Sequence, residues 1–180
     1  RTASITDGHR EILASRQSAM REEMTKLFSH NADVDRINAT ELKKIPGSSS
    51  TFIAKRHGAK PLVETLFRGC LSPERLELKV GAVVMFTKNN PETQVVNGTI
   101  GVVTMFQRGS NFPIVQLKSG RVVVAEPVDW SIIGDGAPLA TISQIPLRLA
   151  WAITVHKSQG MSLDTAYIDL SKAFAFGQGY

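Results

Sequence analysis

The chain is short of cysteine: Cys70 is the one cysteine in 180 residues. A single thiol cannot build an internal disulfide framework, and such usage fits a reducing intracellular compartment. No apolar run is long enough to span a bilayer, and the first residues lack a signal-peptide pattern, so no membrane partner is expected. The four histidines, His9, His30, His57 and His156, show no metal-ligand spacing with Cys70, and H-E-x-x-H is absent. No metal site is expected. A G-x-x-x-x-G-K-[ST] phosphate loop is also missing, and no Walker B acid pair is recognisable. Ser158, His156 and Asp164 have the side chains of a nucleophilic triad, but no G-x-S-x-G elbow accompanies them. The chain begins at Arg1 rather than Met and stops at Tyr180 in mid-pattern, which reads as a piece of a longer protein.

What is present is enough to fold. Apolar residues make up 42% of the chain, so a proper core is available and disorder need not be invoked. The net charge is +5 and the pI about 9.6, which points to a polyanionic partner.

Residues 7–23 have helical spacing through Ile12, Leu13, Arg16, Ala19 and Met20, with Asp7 as the cap. "TKLFSHN" (25–31) reads as a strand. The next segment, through residue 45, puts Val34, Ile37, Leu42 and Ile45 on one helical face. Asp33 and Asp35 lie in its first turn, Lys43 and Lys44 in its last, and Pro46-Gly47 ends it. Strand, sharp turn and helix are the parts of an α/β fold, whose ligands gather at the carboxyl ends of the strands. Residues 60–70 read as a short helix. From Leu76 to Val128 the texture changes to β-branched residues and turn signals. "LKVGAVVMFTK", "TIGVVTMFQ", "PIVQLK" and "RVVVAEP" read as strands, with turns at Asn97-Gly98 and Ser119-Gly120. So many short strands suit a small closed barrel inserted into an α/β domain. "IIGDGAP" reads as the linker out, and "QIPLRLAWAI" as one apolar strand resuming the α/β domain.

That strand ends in "ITVHKSQGMSLD" (153–164), followed by another short strand. Thr154, Ser158 and the backbone amides near Gly160 are donors suited to phosphate oxygens. A glycine lets main chain approach a ligand closely. Lys157 adds a compact positive charge, His156 can stack or donate, and Gln159 can both donate and accept. Together they suit a sugar-phosphate backbone, while a solvated turn accounts for the same residue types.

"PLRLAWAITVHKSQGMSLD" (146–164) resembles motif V of the Pif-family and RecD-like helicases of superfamily 1, which move 5′ to 3′, and the likeness runs on through "YIDLSKAFAFGQGY". "LFSHNADVDRIN" (27–38) resembles the segment that opens the family's second RecA-like domain. "LELKVGAVVMFTKN", followed by "VVNGTIGVV", resembles its Src-homology-3-like insert. The resemblance implies an α/β fold: an incomplete RecA-like domain (2A) interrupted by a small β-barrel insert (2B). It implies a connection or N-terminal helix over 1–24, the first part of 2A over 25–75, insert 2B over 76–128, and the rest of 2A over 129–180, stopping before the arginine-finger motif.

Carried over, the resemblance implies that Thr154, His156 and Lys157 contact single-stranded DNA, and that Ser158, Gln159 and Gly160 couple that contact to the nucleotide. His30 and Asn31 join the same track, unless Asn31 simply caps the helix. Arg108, Lys118 and Arg121 line a DNA path or form a solvated basic face. Trp130 and Trp151 are stacking platforms or core. ATP and Mg2+ are expected in the full-length protein, not stably bound by this piece. The implied partners are single-stranded DNA and the N-terminal RecA-like domain of the same chain, in the cytoplasm or with the nucleoid. On this reading the piece alone is inactive. A nuclease-associated or relaxase-fused translocase would use the same motif. A non-enzymatic β-barrel interaction module would need none of it.

Overall fold

The computed structural model describes residues 6–15, 25–158 and 166–169. Helix α1 (Asp7–Ser15) covers the described part of the first helical pattern; its expected continuation to residue 23 lies outside the described residues. Strand β1 (Thr25–Phe28) leads into α2 (Asn31–Lys44). Val34, Asn38 and Leu42 form the buried stripe of α2, four residues apart, and Lys43 and Lys44 complement the helix dipole at its end. The expected cap is displaced by one residue. His30, in extended backbone, holds the cap position and Asn31 is the first helical residue.

Strand β2 (Ser50–Ile53) and β3 (Lys55–Gly58) follow, then α3 (Lys60–Gly69), which has proline in its first turn and ends where the Cys70 amide donates to Leu66 O. Next come β4 (Arg75–Leu78), β5 (Val83–Phe86), β6 (Ile100–Phe106), β7 (Pro113–Leu117) and β8 (Val122–Val124). The chain continues through β9 (Val128–Gly134), β10 (Ala137–Gln144), β11 (Leu147–Leu149), β12 (Ala152–Thr154), the single turn α4 (Val155–Ser158) and β13 (Ala166–Asp169).

Four sheets result. A parallel sheet has the order β12-β1-β13, and an antiparallel one the order β11-β5-β6-β7-β8; β3-β10-β9 and β2-β4 are smaller. The first, with α2 packed on β12, is the α/β part expected around the insert; the second forms the insert. Among the described residues no helix is long and apolar enough to cross a membrane.

Three sequence expectations change in detail. "LKVGAVVMFTK" is not one strand. A turn closed by Ala82 N–H on Lys79 O (3.0 Å), with Gly81 at φ +92°, divides it into β4 and β5 in different sheets. "IIGDGAP" is no linker but the tip of the β9–β10 hairpin. Asp135 and Gly136 both have positive φ there, the backbone of a two-residue turn matched to strand twist. "QIPLRLAWAI" is two strands: β11 pairs antiparallel with β5 and β12 parallel with β1. An apolar run fits both because each piece is buried, and period alone cannot show that the chain changes sheets between them.

The insert also differs from a ring. Its strand order is linear, and no main-chain pairing joins β8 to β11 among the described residues. Val84, Phe86, Val103, Val115, Leu117 and Leu147 fill its core, together with Leu76 and Leu78. Met85 points the other way, into a second cluster with Leu27, Ala150 and Ile153. Strand β5 is thus covered on both faces, which is why it reads as an unbroken apolar run. A third cluster, Val63, Ala140 and Ile142, seats α3 on the β3-β10-β9 sheet.

Candidate functional site

The parallel sheet decides where the polar motif sits. Phe28 of β1 pairs in register with Thr154 of β12, so both strands end side by side. The chain leaves β1 through Ser29, His30 and Asn31, and leaves β12 through Val155–Ser158. Residues separated by more than a hundred positions therefore meet at one carboxyl edge.

Within α4, local hydrogen bonds set the shape. Thr154 is 3% exposed, and its Oγ1 accepts the Lys157 amide at 3.4 Å. Ser158 Oγ donates to Val155 O at 2.8 Å. His156 occupies the second position of the turn. Asn31 is exposed at the start of α2 and His30 half-buried before it. Gln159 and Gly160 lie outside the described residues.

Sequence reasoning missed what holds this edge in place. Asn38 is 5% exposed on α2, yet polar. Its Nδ2 donates to Ala152 O at 2.9 Å and, at 3.5 Å, to Leu149 O, while its Oδ1 accepts the Ala152 amide at 3.0 Å. The side chain satisfies main-chain groups where the strand run breaks between β11 and β12. The signal was legible: a lone Asn in an otherwise apolar i, i+4, i+8 stripe.

Arg148 was missed as well. It is 8% exposed, and its Nε has no hydrogen-bond partner among the described residues. Nη1 reaches only Leu71 O, at 3.5 Å. A buried donor left unmade costs about 1–3 kcal/mol, more when charged. Burial lowers the Arg148 pKa, and the Asp35 carboxylate opposes that. Lys157 is also held below its usual pKa, first by burial and then by Arg148, with Asp35 again opposing. Arg148, Lys157, Asp35 and Asn38 share a cleft of about 530 Å³ with the chain from Leu71 to Glu77.

The remaining candidates are placed elsewhere. Arg121 is held by Gln94, with bonds of 3.1 Å to Oε1 and 3.0 Å to the main-chain oxygen. It lines a second cleft of about 560 Å³ on the insert, whose described walls include no motif residue. Arg108 and Lys118 are exposed. Trp151 packs on the insert core, and Trp130 lies against Val63 and Ile142 with Lys88 Nζ 5.1 Å from its ring centre. Both indoles are half-buried and act in packing. Among the described residues no group of His, Cys, Asp and Glu could hold a metal ion.

A parallel α/β sheet with a polar turn at its carboxyl edge, interrupted by an antiparallel insert, is the architecture of an incomplete RecA-like domain 2A with a 2B insert. Comparison with known proteins shows what this arrangement is similar to. Residues 62–106 match the family described as DNA helicase Pif1, 2B domain. The chain is 40% identical over 206 aligned positions to the ATP-dependent DNA helicase Pif1 of Psychrobacter sp. (strain PRwf-1), covering 87% of this chain and 31% of that protein. Unliganded Pif1 from Bacteroides sp. superposes with a TM-score of 0.80 at 28% identity, over 97% of this chain and 42% of that one. Pif1 helicase from Bacteroides in complex with ADP-AlF3 and ssDNA gives 0.69 at 29% identity, over 97% and 42%. The chain thus corresponds in sequence and fold to the 2A–2B region of Pif1-type helicases. It spans about a third of the length of the curated Psychrobacter relative.

Proposed function

We propose that this chain is the strand-gripping half of an ATP-dependent DNA helicase motor that moves 5′ to 3′. One observation carries the reading: the β1–β12 register sets His30 and Asn31 beside the turn that bears His156 and Lys157. In this reading His156, Lys157, His30 and Asn31 take phosphate oxygens of single-stranded DNA. Thr154 belongs to the same track. Its buried hydroxyl contributes by fixing the turn through the Lys157 amide. Ser158, Gln159 and Gly160 transmit the grip to the nucleotide. Such contacts position a strand without reading bases and weaken steeply with salt.

ATP and Mg2+ enter through the partner domain. The 180 residues contain no phosphate loop, so an N-terminal RecA-like domain of the same chain would hold the triphosphate and the metal. The residues here supply the strand contact and its coupling, and this chain by itself does not hydrolyse ATP. The Pif1 relatives, named as ATP-dependent DNA helicases and solved with ADP-AlF3 and ssDNA, support the reading. The test is ATP hydrolysis by the full-length protein with and without single-stranded DNA, for wild type and Gln159→Ala. Strong DNA stimulation that collapses in the variant is the expected result. Slow turnover indifferent to both DNA and the substitution overturns the reading and leaves the insert as an interaction module.

A further inference from the structure

We propose that Arg148 and Lys157 form a subsite for one phosphodiester of single-stranded nucleic acid, in the cleft between α2 and residues 71–77. The proposal rests on the strand-binding reading above. It adds a residue that lies outside the motif turn, on β11, and gives the phosphate a place.

Arg148 carries a permanent charge and five N–H donors. With 8% exposure it has, among the described residues, one long bond to a main-chain oxygen and an unpartnered Nε. A tetrahedral oxyanion can engage a guanidinium through two parallel charge-assisted bonds, which a carbonyl oxygen at 3.5 Å does not replace. The second cation of the cleft, Lys157, is close enough for Arg148 to disfavour its protonation. Two like charges held together in a partly desolvated cleft are stabilised by one anion shared between them.

The cleft's own acids leave room for that anion. Asp35 on α2 is the carboxylate whose charge acts on both cations, and it is exposed. Glu74 at the rim is paired with Arg56. Arg75 and Glu77, exposed on β4, bring one charge of each sign to the cleft. The other walls, Leu42, Phe67, Leu71 and Leu149 among them, offer an apolar surface suited to a sugar or base beside the phosphate. A cleft of about 530 Å³ is of small-ligand size. Lys157 makes it continuous with the edge where His30 and Asn31 lie.

The test uses the full-length protein and a labelled oligothymidylate, with anisotropy measured across a salt series. Each phosphate contact to a single strand contributes about 0.7 to the slope of log K against log salt. Arg148→Gln is expected to lower that slope by about 0.7 and to weaken binding alike for all sequences. Lys157→Gln should do the same, and the double variant should lose less than the sum, because both act on one phosphate. Asp35→Asn removes the competing carboxylate and should tighten binding about two- to fivefold. An Arg148→Gln protein with the wild-type slope overturns the subsite, even if it melts earlier, because a purely structural arginine would change stability and leave the slope alone. Should Arg148→Gln fail to fold, the exposed Asp35→Asn decides, and binding no tighter than wild type overturns the proposal. Wild-type protein without salt-dependent strand binding removes the strand-binding reading itself, a different outcome from a subsite that fails alone.

Discussion

Asn38 ties α2 to the start of β12, and its truncation gives the sharpest test of how the site is positioned. Two short buried bonds, at 2.9 and 3.0 Å, satisfy the carbonyl and the amide of Ala152. Asn38→Ala leaves both groups buried without that partner. At about 1–3 kcal/mol for each orphaned group, with partial relief by water, the loss is about 3 kcal/mol. For a chain of this size that corresponds to a fall in Tm of roughly 6–12 °C. Asn38→Asp separates the two bonds. Its carboxylate still accepts the Ala152 amide but faces the Ala152 carbonyl with no proton to donate. Burial raises such a carboxyl's pKa, so this variant should gain stability as the pH falls through that raised value, when the acid regains a donor. Thermal unfolding followed by circular dichroism, across pH, reads both effects. A loss below about 1 kcal/mol for Asn38→Ala would refute the reasoning, since it would mean that these main-chain groups find other partners at no cost.

Two further outcomes test other parts of the structure. Gly101→Ala places a Cβ 2.5 Å from Val115 Cγ1 and 2.6 Å from Gln116 O, where the main chain cannot yield, so the insert should lose about 1–3 kcal/mol or more in urea unfolding. Lys157→Met should raise Tm at neutral pH while weakening strand binding. The folded pKa of Lys157 lies below its unfolded value, so its charge opposes folding wherever both states are protonated. That penalty fades as pH rises from the lowered folded pKa toward the unfolded 10.5, so the wild type and the variant should converge in stability at alkaline pH.

Much of the site was legible because its signals are local. The helical spacing of Val34, Ile37, Leu42 and Ile45 set the face of α2, and the turn residues around Ser119-Gly120 set the β7–β8 hairpin. The polar run ending at Gly160 marked a candidate turn, and the likeness of its flanks to motif V gave that candidate a class. The breaks inside apolar runs were not legible. "LKVGAVVMFTK" and "QIPLRLAWAI" stay hydrophobic on both sides of the point where the chain changes sheets, since every piece is buried.

The sequence by itself determined the helical faces, several of the turns and which segment offers side chains suited to a phosphate, because periodicity, turn preference and side-chain type act over a few residues. Only the tertiary structure decided that β1 and β12 lie side by side, that Asn38 closes the gap between β11 and β12, and that Arg148 and Lys157 share one cleft. Those are contacts between residues far apart in the chain, set by parallel pairing and the burial of both strands, and no local pattern encodes them.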